Sequence, residues 1–356
     1  MDKLKICVIF GGMSTEHDVS IVSATSIIEC LSKEKYDIFP IYIDKSGNWF
    51  KYTKNLNEIK TLDIGEKIIE LEPLNDPIIF FKDMDMAFPV LHGLYGEDGT
   101  IQGLLELIKV PYVGCKVLSS AVSMDKVYTK VLFEKAGLKQ AKYEYIKKIK
   151  SENTYIYIDK EFNEQILKID ELCEKVLENL IFPIFVKPSN SGSSVGIKKA
   201  KNMEELKDAI QYAEEFDEKI LIEQGINARE IECAILGGKN VKASCVGEII
   251  SAEEFYSYDA KYSNSESRVI VPADISENLS NKIKNMAIKA FKTVDGKGLA
   301  RVDFFIEKNT NEIYINEINT MPGFTKISMY PKLWESTGVK YSELLDELIL
   351  STKKLT

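Results

Sequence analysis

The residues best placed to do chemistry lie near the C-terminal end of the chain, in the stretch GLARVDFFIEKNTNEIYINEINT (298–320). Apolar and polar positions alternate on either side of a polar turn at 309–311, which predicts a β-hairpin. Side chains along a strand point to opposite faces with a period of two. Arg301, Asp303 and Phe305 therefore share one face, and Ile315, Glu317 and Asn319 share another. A register that sets Asp303 against Glu317 also sets Arg301 against Asn319. Like charges directly opposed on a sheet are destabilising. Water would relieve the repulsion on a solvated face, but Phe305 and Ile315 are expected on the same faces as the carboxylates. A cation resolves it better. Carboxylate and amide oxygens suit hard cations, and with no histidine cluster nearby they point to Mg²⁺ or Mn²⁺. Such sites complete their shell with substrate phosphates, so a nucleotide is expected.

Two glycine-rich turns follow apolar runs. KPSNSGSSVG (187–196) lets backbone N–H groups approach an anion and adds the hydroxyls of Ser193 and Ser194. Lys187 ends the apolar run beside it. HGLYGEDG (92–99) is the second turn, with His92 at the carboxyl end of a strand, where open α/β sheets bind ligands. No G-x-x-x-x-G-K-[ST] run occurs, which excludes a P-loop. Lys126, Lys187 and Lys261 are the lysines that could meet phosphates. Glu16 precedes a helix start, where the helix dipole favours any acidic residue.

The elements that must carry these residues alternate in type. Residues 5–10, 39–43 and 86–91 read as strands, and helices are expected over 19–31 and 99–108. Strand, crossover helix and strand in repeated order predict a doubly wound parallel sheet. The pattern breaks at 111–121 and a helix is expected over 124–135. The Lys-, Glu- and Ile-rich segment 143–182 has one expected helix, over 169–180. Strands at 184–186 and 219–223 follow, with a helix over 203–212 and with 230–236 pairing beside 219–223. Residues 251–267 read as irregular. A helix over 279–291 is capped by Ser276, with Leu279, Ile283, Met286, Ala287 and Ala290 on its core face.

Composition narrows the class. The chain has 356 residues, enough for two or three domains, and its net charge of −9 disfavours nucleic acid and anionic membrane surfaces as partners. Six scattered cysteines and only two histidines, His17 and His92, disfavour disulfide frameworks and zinc sites. No apolar run is long enough to span a bilayer. A cytoplasmic protein is expected.

Taken together, GGMSTEHDVS (11–20), HGLYGEDG (92–99), SMDK (123–126), VKPSNSGSSVG (186–196), REIECAIL (229–236), YDAKY (258–262), RVDFF (301–305) and NEINTMPGFTKIS (316–328) resemble, in order, the D-alanine–D-alanine ligases of the ATP-grasp superfamily. The resemblance implies a doubly wound N-terminal α/β domain over 1–120, then a two-lobed ATP-grasp unit with lobes at 121–215 and 216–356. It implies ATP-driven ligation of two D-alanines through an acyl phosphate, for peptidoglycan precursors, by a homodimer. Lys126 and Lys187 would bind ATP phosphates, Glu223 and Glu230 the adenine and ribose, and Lys261 the γ-phosphate. Asp303, Glu317 and Asn319 would hold two Mg²⁺ ions, or Mn²⁺.

The same resemblance implies that Arg301 and the Gly323 N–H stabilise an oxyanion. Glu16 would take the first substrate's ammonium, and His92 would lie near its carboxylate. Ser328 and the Met329 backbone would hold the second carboxylate. Ser193 and Tyr262, linked to Glu16, would close the loop over the site. Relatives that accept D-lactate carry histidine in that loop, so Tyr262 implies an amine nucleophile. A D-alanine–D-serine ligase and a non-catalytic nucleotide-binding scaffold are the alternatives, and Asp303, Glu317, Asn319 and Arg301 together speak against the scaffold.

Overall fold

The computed structural model describes residues 3–53, 56, 71–149, 153–238, 240–250 and 268–355. β1 (Leu4–Gly11) pairs in parallel with β2 (Tyr36–Ile43), whose other edge carries β3 (Trp49–Tyr52) and then β4 (Leu71–Pro73), both antiparallel. β5 (Met86–Pro89) joins the free side of β1 in parallel. Alternate residues of β1 enter different cores. Ile6, Val8 and Phe10 pack with Ala24, Ile27 and Ile28 of α1 (His17–Cys30). Cys7 and Ile9 pack with Phe81 of α2 (Pro77–Lys82) and Leu105 of α3 (Thr100–Leu107). A parallel strand covered by helices on both faces has to be apolar throughout, as 6–10 is.

The helix expected over 124–135 is present, starting at Lys126, and a further helix that the pattern did not announce precedes it. α4 (Val117–Met124) occupies part of the stretch where the pattern breaks, and α5 (Lys126–Lys135) follows after Asp125. The Asp125 side chain accepts the N–H groups of Val127 and Tyr128, satisfying donors that the first turn of a helix leaves unpaired.

Segment 143–182 supplies three strands that its Lys- and Glu-rich composition conceals: β6 (Tyr143–Lys148), β7 (Thr154–Ile158) and β8 (Glu164–Lys168). The expected helix follows as α6 (Ile169–Leu177). With β9 (Ile184–Pro188), β10 (Lys198–Ala200) and β11 (Lys219–Gln224) they form an antiparallel sheet in the order β10-β9-β11-β6-β7-β8. α6 and α7 (Met203–Ala213) cover one of its faces, where Tyr155, Tyr157, Val186 and Ile220 meet Leu172, Val176, Leu206 and Ile210. This sheet runs to Gln224, past the limit at 215 expected for the central lobe.

A third sheet contains β12 (Ala228–Leu236), β13 (Lys242–Ile250), β14 (Arg268–Ile270), β15 (Leu299–Glu307) and β16 (Ile313–Asn319), ordered β14-β13-β12-β15-β16. The pairing of 230–236 with 219–223 is therefore incorrect. Both edges of β11 are taken, by β9 and β6, so β12 has no edge there to join. The chain leaves the second sheet where Gly225 donates its N–H to Pro183 O, and enters the third where Asn227 O accepts the Lys308 N–H.

α8 (Glu277–Thr293) is capped by Ser276, whose hydroxyl oxygen accepts the Leu279 N–H at 3.3 Å. Ile283, Ala287, Ala290 and Phe291 pack under the third sheet, with Leu279 and Met286 at the margin of that core. α9 (Met329–Ser336) and α10 (Tyr341–Leu355) then return to the first layer. Tyr330, Trp334, Leu344 and Leu348 share a core with Val8 and Phe10. Tyr36 reinforces the junction by donating its hydroxyl to Asp346 at 2.7 Å. The loops at the carboxyl ends of β1 and β5 are thereby held against the third sheet.

Candidate active site

The glycine turns, the hairpin and the start of α9 converge on two adjoining cavities. One, of about 710 Å³, is lined by Glu16, His92, Ser193, Gly323, Ser328 and Met329, and Asn319 also opens onto it. The other, of about 770 Å³, is lined by Lys187, Glu223, Glu230 and Asp303. Lys126, Glu232, Arg301 and Glu317 line both and form the shared wall. Lys261 and Tyr262 lie outside the described residues.

In the first cavity Glu16 is buried at the head of α1. Its carboxylate rests against backbone from both glycine turns, because a Cβ at Gly93 or at Gly192 would lie 2.6 Å from its Oε2. Only glycine leaves that space. The Ser193 hydroxyl donates to Glu16 Oε1, from a residue in the left-handed region at φ 49°. His92 is buried and its Nδ1 faces the Met321 carbonyl at 2.9 Å, so Nδ1 must be the donor. Nε2 then accepts from Ser23 Oγ at 3.0 Å, and Ser23 Oγ accepts the Phe324 N–H at 3.3 Å. A neutral imidazole completes this chain, and burial lowers the His92 pKa against the pull of Glu16.

Glu97 joins the two sides of this cavity. Its Oε2 accepts the Gly93 N–H at 2.8 Å and its Oε1 accepts the Met321 N–H at 3.0 Å. Burial and the nearby charge of Glu16 push its pKa up to about 8. At the far end, Ser328 caps α9 positionally and accepts the Thr325 N–H at 3.0 Å.

Charge in the second cavity is paired. Glu223 takes Lys187 at 2.7 Å on Oε2 and Lys130 on Oε1. Burial opposes the carboxylate, but the two lysines outweigh it and bring Glu223 down to about 2. Burial lowers Lys130, whereas at Lys187 the attraction of Glu223 overcomes burial and raises the pKa. Glu230 lies on the same wall beside Arg229, whose guanidinium grips Glu248 at 2.7 and 2.6 Å. Lys126 donates its ammonium to Ser191 O and its N–H to Ser189 O, which stitches SMDK to the glycine-serine turn.

The hairpin carries the shared wall. Asp303 opposes Glu317 and Arg301 opposes Asn319, the register expected. Ile315 is a correction. The register slips after Asp303, so that Phe304 pairs with Ile315 and both are buried in the core under the sheet. The extra residue, Asn316, is a bulge that reverses which face the rest of β16 presents. Asn316 and Glu317 consequently both line the second cavity. Arg301 donates to both oxygens of Asp303 at 2.7 Å, and its Nε also lies 3.0 Å from Glu232 Oε2. Asn319 Nδ2 donates to Asp303 Oδ2 at 3.0 Å. Burial disfavours the guanidinium charge, yet Asp303 and Glu232 raise its pKa well above the ordinary value.

Four residues of the site are missed by the sequence reading. Glu97 and Glu232 sit inside motifs already singled out, HGLYGEDG and REIECAIL, without an assigned place. Lys130 follows Lys126 by one helical turn, a spacing that puts both on one face of α5. Asn316 gave no signal, because a bulge is invisible to a period-two pattern.

The residues present fit a hard divalent cation. Asp303 and Glu317 meet on the cavity wall, Asn319 adds an amide, and all three offer oxygen donors. Among the described residues no cluster of three or more His, Cys, Asp or Glu side chains closes on a metal. A cation held here would keep positions for oxygens other than the protein's.

Comparison with known proteins agrees along the whole chain. Residues 5–115 match the family described as D-ala D-ala ligase N-terminus, and residues 132–350 match D-ala D-ala ligase C-terminus. The D-alanine–D-alanine ligase of Clostridium acetobutylicum is 48% identical over 98% of this chain and 97% of its own. D-alanine–D-alanine ligase B of Clostridium tetani is 49% identical over 98% and 93%. Among solved structures, the VanG D-Ala:D-Ser ligase of Enterococcus faecalis superposes with a TM-score of 0.85 at 35% identity, over 99% of this chain and all of that one. The D-alanine–D-alanine ligase of Coxiella burnetii gives 0.81 at 34% identity, over 100% and 95%. With both family halves in order around one pair of cavities, the chain belongs to the D-alanine–D-alanine ligase family, whose members use ATP and a divalent metal.

Proposed function

We propose that this protein joins two D-alanines into D-alanyl-D-alanine, converting ATP to ADP and phosphate, in the supply of peptidoglycan precursors. The observation that carries the reading is the wall shared by the two cavities. Lys126, Arg301 and Glu317 face both, so a carboxylate bound on one side would meet a phosphate chain bound on the other.

The chemistry follows from that juxtaposition. A free carboxylate is a poor electrophile, and transfer of the γ-phosphoryl gives an acyl phosphate with a good leaving group. The amine of the second D-alanine then attacks the acyl carbon, and phosphate departs with the bonding pair. Glu16, oriented by Ser193, binds the ammonium of the first D-alanine, and neutral His92 lies near its carboxylate. Ser328 and the Met329 N–H receive the second carboxylate at the start of α9, where helix N–H groups lack internal partners.

Lys126 and Lys187 hold the phosphates, while Glu223 and Glu230 border the adenine and ribose. Arg301 and the Gly323 N–H face the oxyanion, a contact whose loss typically costs about 10²–10³ in rate. Asp303, Glu317 and Asn319 would hold two Mg²⁺ ions, or Mn²⁺. Bound there, the metal supplies charge neutralisation to the transferring phosphoryl group.

The domain division proposed is 1–120, a central lobe extended to include β11, and a C-terminal lobe. Among the described residues no helix is long and apolar enough to cross a membrane, and a cytoplasmic site of action is proposed from the family resemblance. A homodimer is proposed from the family resemblance, and sedimentation equilibrium tests it.

The deciding experiment measures phosphate release from ATP with D-alanine, D-serine, D-lactate and L-alanine offered in turn and in competition. Release should require D-alanine and a divalent cation, with D-alanyl-D-alanine as the main product. Equal release with L-alanine refutes the stereochemistry, and preferential incorporation of D-serine moves the chain to the D-serine ligases. No release under any of these conditions would favour the scaffold.

A further inference from the structure

We infer that Glu232 is a positioning residue for Arg301, retaining the guanidinium on the shared wall when a cation takes Asp303. The inference rests on the assignment of Asp303, Glu317 and Asn319 to cation binding proposed above. Both oxygens of Asp303 face N–H donors in the structure: Arg301 Nε at 2.7 Å on Oδ1, with the second Arg301 nitrogen at 2.7 Å and Asn319 Nδ2 at 3.0 Å on Oδ2. Three of the roughly four lone pairs of that carboxylate already face N–H donors, and a cation beside it repels the guanidinium, so its arrival weakens the bidentate pair. A buried guanidinium that loses its acceptor is strongly disfavoured unless another carboxylate is in place.

Glu232 is that carboxylate. It is buried on β12 directly opposite Asp303 in the ladder, and its Oε2 lies 3.0 Å from Arg301 Nε. The arginine can pass from one acceptor to the other with no change in strand pairing. It thus has two carboxylates within reach, of which the cation claims only one. Cation binding at Asp303 and the hold of Glu232 on Arg301 then reinforce each other, and such coupling is reciprocal.

The test is Mn²⁺ binding to the full chain in the presence of ADP, read from the electron paramagnetic resonance signal of free Mn²⁺, with no turnover involved. Glu232→Gln should weaken binding by about tenfold, the size of one charge-assisted hydrogen bond. Glu232→Asp keeps the charge but withdraws the carboxylate from Nε, and it too should weaken binding. In an Arg301→Met background, Glu232→Gln should make no further difference. A field effect of the Glu232 charge gives the opposite pattern: near-normal binding in Glu232→Asp, and the full loss persisting in the Arg301→Met background. That pattern overturns the inference.

Asp303→Asn separates the two levels. If Mn²⁺ binding is indifferent to it, the cation-site reading fails and the inference with it. If Asp303→Asn abolishes binding while Glu232→Gln leaves it unchanged, only the inference fails. Melting curves on the same samples report folding. Should Glu232→Gln not fold, Glu232→Asp decides alone, and wild-type affinity in it is the overturning result.

Discussion

In the cavity proposed to take the nucleotide, carboxylates are met by cationic side chains: Glu223 by Lys130 and Lys187, and Asp303 and Glu232 by Arg301. In the cavity proposed to take the amino acids, Glu16 and Glu97 are met by a serine hydroxyl and backbone N–H groups among the described residues. The consequence appears in proton affinity. Glu223 is held at about 2, whereas burial and its neighbour push Glu97 up to about 8. One side is neutralised before any ligand arrives. The other leaves Glu16 for a substrate ammonium to complement, so removing one group should have a different consequence on each side.

The largest effect should come from breaking the neutralised side. Glu223→Gln leaves the buried Lys130 and the half-buried Lys187 without their carboxylate and should destabilise the fold by about 3–5 kcal/mol, read by urea denaturation. Loss of less than about 1 kcal/mol would show that the lysines find other partners. Next, Arg301→Met should lower turnover by about 10²–10³ with a small change in the KM for ATP. An unchanged rate would remove Arg301 from the chemistry and leave it a structural counter-ion of Asp303.

On the amino-acid side the expected effects are smaller and specific to substrate. Gly192→Ala places a methyl 2.6 Å from Glu16 Oε2 and must shift one of them. The KM for D-alanine should rise about tenfold while the KM for ATP holds, a penalty of the order seen for crowding a packed site. Equal rises in both would mean that the turn, and not Glu16, is disturbed.

The smallest expected effect is the pH dependence of Glu97. Because its folded pKa is raised, to about 8, the stability it contributes is complete below its unfolded pKa and is lost as pH rises through the folded value. Wild-type melting temperature should therefore fall between about pH 5 and pH 8 more than that of Glu97→Gln. Parallel curves would show that Glu97 is ionised throughout, and the contrast between the cavities would narrow to Glu16 alone.

How much of this was legible beforehand differs by element. The Asp303–Glu317 register was, because alternation across a short polar turn leaves few ways to pair two strands. The Ser276 cap was, because a hydroxyl before an apolar helical stripe has a local partner in the Leu279 N–H. The strands of 143–168 were not. Tyr155 and Tyr157 face the core from a short run, TYIYI (154–158), set between stretches rich in lysine and glutamate, and only the sheet beside it decides which of its faces is buried.

The amino-acid sequence alone determined the order of the motifs, the residue types in both cavities and the chemistry those types permit, because these depend on near neighbours in the chain. Tertiary structure decided which of them meet. It brought Glu97 to the Met321 N–H and Glu232 to Arg301, moved Ile315 to the core through one extra residue, and sent β12 to a different sheet from β11. Those outcomes turn on which strand edges remain open and how buried charges find partners, and only the packed chain settles both.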